Sequence, residues 1–191
     1  MSQGPISIES GGLNLAKMAV QQSEGGHWPS LPEGVELAPL WKRIFAFLLD
    51  TTAFMGVLMI ATGGNILSAF RFGLLNTTQW WVVLVNWALI IAAAFLYHKY
   101  TIHGMGRSLG QRWFGLAVVR EDGERLNREQ CDKRSLMKLR YMIPLVNFVF
   151  FYIDAKYIRT RHTHQSSIDL SCASIVVIAN SLPPAKRYGL R

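Results

Sequence analysis

Three charged residues pose the first chemical question: Arg43, Asp50 and Asp169. Asp50 lies inside KRIFAFLLDTTAFMGVLMI, residues 42–60, among phenylalanines and leucines, and Arg43 stands at the mouth of the same stretch. On a helix, seven residues turn through about 700°, two turns less about 20°, so Arg43 and Asp50 share a face about 10.5 Å apart along the axis. Asp50 is about 9 Å further along than Ile44, well inside a hydrocarbon layer about 30 Å thick. A carboxylate facing lipid at that depth is costly or protonated, so Asp50 must face protein, water or a bound cation. Two chemistries fit. In the first, Asp50 and Asp169 pair with Arg43 and other bases to form an intramembrane charge network that fixes the fold, because removing one partner strands a buried charge. In the second, Asp50 carries a proton or binds a cation, with Arg43 as gate or counter-ion. The first is favoured, since a base stands on the same face of the helix.

Other chemically suggestive stretches are weaker. GMGRSLG (104–110) contains glycines, but no parallel βαβ unit surrounds it, so its glycines are read as allowing close backbone packing rather than cradling a dinucleotide. His162 and His164, near Asp169 and Cys172, are metal-binding types without a recognised ligand spacing, and a solvated basic turn is the better reading. No nucleophile, base and orienting group stand out together. The expectation is a non-enzymatic protein with no catalytic residues, no cofactor and no metal site.

The elements that must position Arg43 and Asp50 are membrane helices. Half of the 191 residues are hydrophobic and only 17% are charged, and the mean hydropathy is +0.19. The apolar residues are clustered: residues 44–61 and 80–97 each approach the roughly 20 residues that cross a bilayer as helix. Trp41, Trp80, Trp81, Tyr97 and Tyr100 cluster at the edges of these runs, where amphipathic rings settle at the interface. Spans are expected at about 42–62 and 80–100.

The net charge of +8 raises nucleic acid as a partner, but its distribution excludes it. Ten of the twenty Lys and Arg lie between Lys99 and Arg140, directly after the second span, which is the positive-inside signature of a cytoplasmic loop. Among them Arg107, Arg112, Lys138 and Arg140 are read as contacts to anionic lipid headgroups. The first forty residues lack the basic-then-apolar order of a signal peptide, so the expected location is a bacterial cytoplasmic (inner) membrane, multi-pass, with the N-terminus cytoplasmic. Cys131 and Cys172 fall on the reducing side, where a disulfide is not expected.

The fold class expected is an all-α integral membrane protein with two transmembrane helices. Residues 1–40 read as an extended or disordered arm, 41–178 as the membrane domain, and 179–191 as a tail. A third apolar segment, about 139–156, is short for a span and carries Pro144, so a segment dipping into the cytoplasmic leaflet is preferred to a third crossing. Residues 108–116 read as an amphipathic interfacial helix. LAVV (116–119) and SIVVI (174–178) are short β-branched runs able to pair on the cytoplasmic face.

Arg43-x-x-Ala46-x-x-x-Asp50 in a first span, GRSLGQRWFGLAVVREDG after a second, and Asp169 before a β-branched run resemble the RDD family of bacterial membrane proteins. The resemblance covers roughly residues 40–178 and makes Arg43 the family arginine and Asp50 and Asp169 its two aspartates. Gly106, Ser108, Gly110, Arg112, Gly115 and Leu116 match the glycine-rich stretch, whereas Gln111 and Ile168 stand where lysine and histidine are common. The resemblance implies a transport role with ligands that the motif does not identify. Two spans are too few to enclose a pathway, so the reading preferred from the residues is an accessory or structural subunit of a larger membrane complex. The alternative is a transporter or transport component for a small ion or solute, working as an oligomer. Partners expected are the anionic bilayer and other membrane subunits or further copies of the chain.

Overall fold

The computed structural model describes residues 32, 34–161, 163–187 and 190, so most of the expected N-terminal arm, and His162, lie outside the described residues. Helices α1 (Leu40–Ala61) and α2 (Trp80–Met105) are 22 and 26 residues long. At 1.5 Å per residue they measure about 33 and 39 Å, enough to cross a bilayer. Only 17% and 22% of their most apolar windows is buried within the protein. A core helix of a soluble protein would be mostly covered; these turn their leucines, valines and tryptophans outward, as helices bathed in lipid do.

The buried stripe on each span is narrow and partly polar. On α1 it is Ala46, Asp50 and Phe54; on α2 it is Val83, Asn86, Ile90, Ala94, His98 and Ile102. These positions recur every three or four residues, so they form one face of each helix. Between the spans, two 3-10 segments (Asn65–Phe70 and Phe72–Asn76) fold back, and Ile66 and Ala69 complete an apolar cluster with Phe54, Ile90, Ala94 and Met142. The Trp87 indole N–H donates to the Ala69 carbonyl at 2.9 Å, fixing that return.

Past α2 the chain is a set of short elements: α3 (Leu109–Trp113), β1 (Leu116–Arg120), α4 (Arg128–Lys138), α5 (Val146–Thr160), α6 (Ser167–Ser171), β2 (Ser174–Ile178) and α7 (Pro184–Arg187). Three of the helices, α3, α4 and α6, begin with a reciprocal capping box: Ser108 with Gln111, Asn127 with Gln130, and Ser166 with Asp169. Such caps satisfy N-terminal amides that a short helix cannot pair internally.

β1 and β2 pair antiparallel, with Leu116 opposite Ile178 and Arg120 opposite Ser174. Both faces of this pair are covered. Ala117, Val119, Ile175 and Val177 pack with Ala179 and Leu182, while Leu116, Val118 and Val176 pack with Ala38 and Ala46 of the first-span region. That double burial explains why both strands read as continuous β-branched runs rather than alternating ones. The tail expected at 179–191 contributes the fully buried Leu182. The end of the expected arm is tied down as well: Ile178 N–H donates to the Glu36 carbonyl at 2.9 Å and Ala38 N–H to the Val176 carbonyl at 3.0 Å.

The third apolar segment is broken. A 3-10 turn (Leu139–Met142) precedes Pro144, Leu145 takes a positive φ of 67°, and α5 follows. Its 15 residues measure about 22 Å, shorter than the hydrocarbon layer. Phe148 and Tyr152 of α5 are 73% and 72% exposed, whereas Asp154 and Ile158 are buried.

Candidate functional site: a buried charge network

Asp50 is 1% exposed and its carboxylate is surrounded by donors from two later elements. Its Oδ1 accepts the Tyr97 hydroxyl at 2.5 Å and the Gly110 backbone N–H at 2.7 Å. Its Oδ2 accepts the Ser108 hydroxyl at 2.5 Å. The acid inside the first span is therefore held by α2 and by the first turn of α3, where orphan amides and the positive end of the helix favour an anion. Gly110 has to be glycine: a Cβ there would lie 2.1 Å from the Ala46 carbonyl oxygen. The stretch GRSLG thus brings a hydroxyl and an amide onto Asp50 and lets the backbone of α3 press against α1.

Asp169, also 1% exposed, takes two guanidinium groups. Arg43 Nη1 donates to its Oδ2 at 2.9 Å and Arg134 Nη1 to its Oδ1 at 2.5 Å, while Ser166 N–H adds a third bond at 3.0 Å. Burial alone would raise the Asp169 carboxyl, but Arg134 and Arg43 outweigh it and hold the group below the usual carboxylate range. Arg43 also donates through Nε to the Ala38 carbonyl and through Nη2 to the Val176 carbonyl, both at 3.1 Å. It therefore ties α1 to the edge of β2. Arg134 continues to the Ser174 hydroxyl at 2.7 Å.

A third acid completes the set. Asp154 of α5 pairs with Arg140 and accepts the Tyr141 hydroxyl. Its other oxygen accepts the Ser167 N–H at 2.8 Å and the Ser167 hydroxyl at 2.6 Å. Asp154 thereby joins the third apolar segment to the start of α6.

Lys138 is different. It is 8% exposed, and its Nζ faces His98 Nδ1 at 3.5 Å, while His98 Nε2 has no hydrogen-bond partner among the described residues. Burial and the nearby Arg134 push the Lys138 ammonium down to about 8, against the opposing pull of Asp50 and Asp169. Lys138 lines a cavity of about 100 Å³ whose walls also include Arg43, Asp50, Arg134, Asp154 and Asp169.

The three residues that define the motif thus converge on one cavity, bounded by α1, α4, α5 and α6. The RDD family profile matches residues 37–172, which contain all three. The chain belongs to the RDD family. Neither curated proteins nor solved structures gave a match. Membership and the two outward-facing apolar helices together make this a membrane protein of that family.

Within this RDD protein the sequence-derived network needs one correction. Arg43 and Asp50 share α1, but Arg43 is on Asp169 and Asp50 is on Tyr97, Ser108 and Gly110. Arg43 is drawn away because the Ala38 and Val176 carbonyls and a carboxylate converge on one guanidinium. The basic residues assigned to headgroups divide as well. Arg112 is exposed beside Trp113, itself 78% exposed, and Arg107 is half-buried. Lys138 lines the cavity instead of the outer surface, and Arg140 is paired with Asp154.

Asp154 and Arg134 escaped sequence reasoning. Asp154 falls near the end of the third apolar segment and reads as its boundary, although an acid there asks the same question as Asp50. Arg134 belongs to a readable pattern: Cys131, Arg134, Ser135 and Lys138 stand at i, i+3, i+4 and i+7, one helical face, and all four are buried. Among the described residues no group of three or more His, Cys, Asp and Glu could hold a metal ion.

Proposed function

We propose that this RDD protein is a non-enzymatic accessory or structural subunit of a larger complex in the bacterial cytoplasmic membrane. One observation carries the reading. Both carboxylate oxygens of Asp50, Asp154 and Asp169 receive donors from the chain itself. A site built to bind and release a cation leaves ligand positions open, whereas saturated acids hold elements together. The outward faces of α1 and α2 carry large apolar side chains, Val57 at 67% and Ile60 at 85% exposure among them, which lipid or neighbouring subunits cover.

In the proposed orientation both ends of the α1–α2 hairpin and the strand pair are cytoplasmic, and α5 dips into the inner leaflet. The ten basic residues after the second span support this placement. So does the exposure of Trp41 at one membrane face and of Trp80 and Trp81 at the other, at 53%, 51% and 54%. Arg112 and Arg107 then meet anionic headgroups beside the interfacial Trp113.

Native mass measurement in mild detergent tests the assignment. A stoichiometric complex with a different membrane protein is expected; a closed homo-oligomer would replace it with the second reading, a component for transport of a small ion or solute. What favours that second reading is the cavity lined by Asp50 of the first span and by a lysine without a carboxylate partner among the described residues.

A further inference from the structure

Lys138 is a buried cation without a counter-ion in contact. Among the described residues no carboxylate oxygen forms an ion pair with its Nζ: Asp169 takes Arg43 and Arg134, Asp154 takes Arg140, and both oxygens of Asp50 are filled by neutral donors. Its one hydrogen-bond contact, His98 Nδ1, is 3.5 Å away. A buried ammonium left so thinly solvated is costly, and a bound anion relieves that cost. The cavity it lines has room, at about 100 Å³, for several waters or one small oxyanion.

Arg43, Arg134 and Lys138 line the cavity together with Asp50, Asp154 and Asp169. Asp169 takes Arg43 and Arg134, and Asp154 takes Arg140 from outside the lining, which leaves Lys138 as the lining cation without a carboxylate in contact among the described residues. One such cation suits a singly charged oxyanion and disfavours a dianion beside three carboxylates. Arg134 Nε is buried, has no hydrogen-bond partner among the described residues and belongs to a guanidinium close to Lys138, so a guanidinium N–H and an ammonium stand together. That pairing is what phosphate oxygens take. Apolar side chains also line the cavity, Leu40, Ile44 and Phe47 from α1 and Phe151 and Ile158 from α5, with the Phe47 and Phe151 rings 6.4 Å apart.

We propose that this cavity binds a singly charged phosphate group, free or as the phosphodiester of a phospholipid headgroup, held by Lys138 with Arg134 and Arg43. The apolar wall between α1 and α5 accommodates the first part of an acyl chain when the source is a lipid, and stays closed over a free anion.

The test uses the full chain in phosphatidylcholine nanodiscs, with two probes. One is inorganic phosphate titrated at constant ionic strength; the other is replacement of part of the lipid by phosphatidylglycerol. The thermal unfolding midpoint and the lipid retained in native mass spectra are read for wild type, Lys138→Met and, as a surface control, Lys133→Gln on the exposed face of α4. A saturable rise in midpoint is expected in wild type and Lys133→Gln, with the response at least about tenfold weaker in Lys138→Met. A response to phosphate alone identifies the free anion; a response to phosphatidylglycerol, with one retained lipid per chain, identifies the headgroup. Wild type silent to both probes overturns the proposal, and so does a response undiminished in folded Lys138→Met. Should Lys138→Met not fold, the wild-type titration still decides, because a one-to-one saturable response is required of it.

Discussion

Arg43 and Asp169 are 126 residues apart in the chain and meet at 2.9 Å. The contact joins the first turn of the first span to the short helix before the last strand, with Asp169 buried and the Arg43 side chain 11% exposed. Because Arg43 is committed there, Asp50 is free of it and can be held by the start of α3. The motif's arginine and two aspartates are therefore two separate staples sharing one cavity, with Lys138 between them.

The α3 staple depends on one missing methyl group. Gly110→Ala places a Cβ 2.1 Å from the Ala46 carbonyl, so α3 must move off α1 and off Asp50. A loss of about 3 kcal/mol or more is expected. Gly56→Ala, in the same span with open space around the new Cβ, is the control, with a gain of about 0.5 to 1 kcal/mol. Reversible unfolding in mixed micelles compares the two; equal behaviour would disprove the close approach.

Removing the charge of Asp50 tests what the acid is for. Asp50→Asn replaces an oxygen that accepts donors with an NH2 that opposes them, at either Ser108 or Tyr97 and Gly110. Folded protein in the membrane should fall, with a cost of about 1 to 3 kcal/mol. Tyr97→Phe should weaken the same carboxylate less, since Ser108 and Gly110 remain. Quantitative immunoblots and flux assays in vesicles separate the readings. Normal abundance of Asp50→Asn with a lost pH-dependent ion flux would favour transport.

Lys138 gives stability a distinctive alkaline slope. Its ammonium sits at about 8 in the folded protein against 10.5 for an ordinary lysine, lowered by burial and Arg134 and only partly restored by Asp50 and Asp169, with His98 facing it from α2. Between those values the unfolded chain holds the proton and the folded one does not, so stability rises with pH across that window. Below about pH 8 the penalty is complete, on the order of 3 kcal/mol. Unfolding midpoints measured from pH 7 to about 10 should therefore rise in wild type relative to Lys138→Met. Parallel curves would show that Lys138 is not the group responsible.

Much of this fold is written in local patterns. The spans follow from two long apolar runs, and the strands from β-branched runs whose pairing is antiparallel. Arg43, Asp50 and Asp169 stood out because charge inside or beside apolar sequence needs a partner. Which partner was not legible, because helical spacing places Arg43 beside Asp50 but says nothing of the carbonyls of Ala38 and Val176 that draw the guanidinium elsewhere. The burial of Lys138 and the pairing of Arg140 with Asp154 are not legible for a related reason. Charge density after a span indicates sidedness, whereas the burial of one face of α4 is set by tertiary packing.

The orientation can be read chemically. Cysteines placed at Thr77 and Asn180, both exposed, in a background lacking Cys131 and Cys172, should label oppositely in intact cells. Thr77 should react from outside and Asn180 should not. Labelling of Asn180 from outside would make α5 part of a third crossing.

The central claim is that the charges are structural and paired as Arg43 with Asp169 rather than Arg43 with Asp50. Two double-mutant cycles measured by reversible unfolding in mixed micelles test it directly. Arg43→Gln with Asp169→Asn should cost less than the sum of the single changes, by about 1 to 3 kcal/mol, because neither charge is left stranded by the other's loss. Arg43→Gln with Asp50→Asn should be additive to within about 0.5 kcal/mol. Coupling in the second cycle and additivity in the first would contradict the pairing.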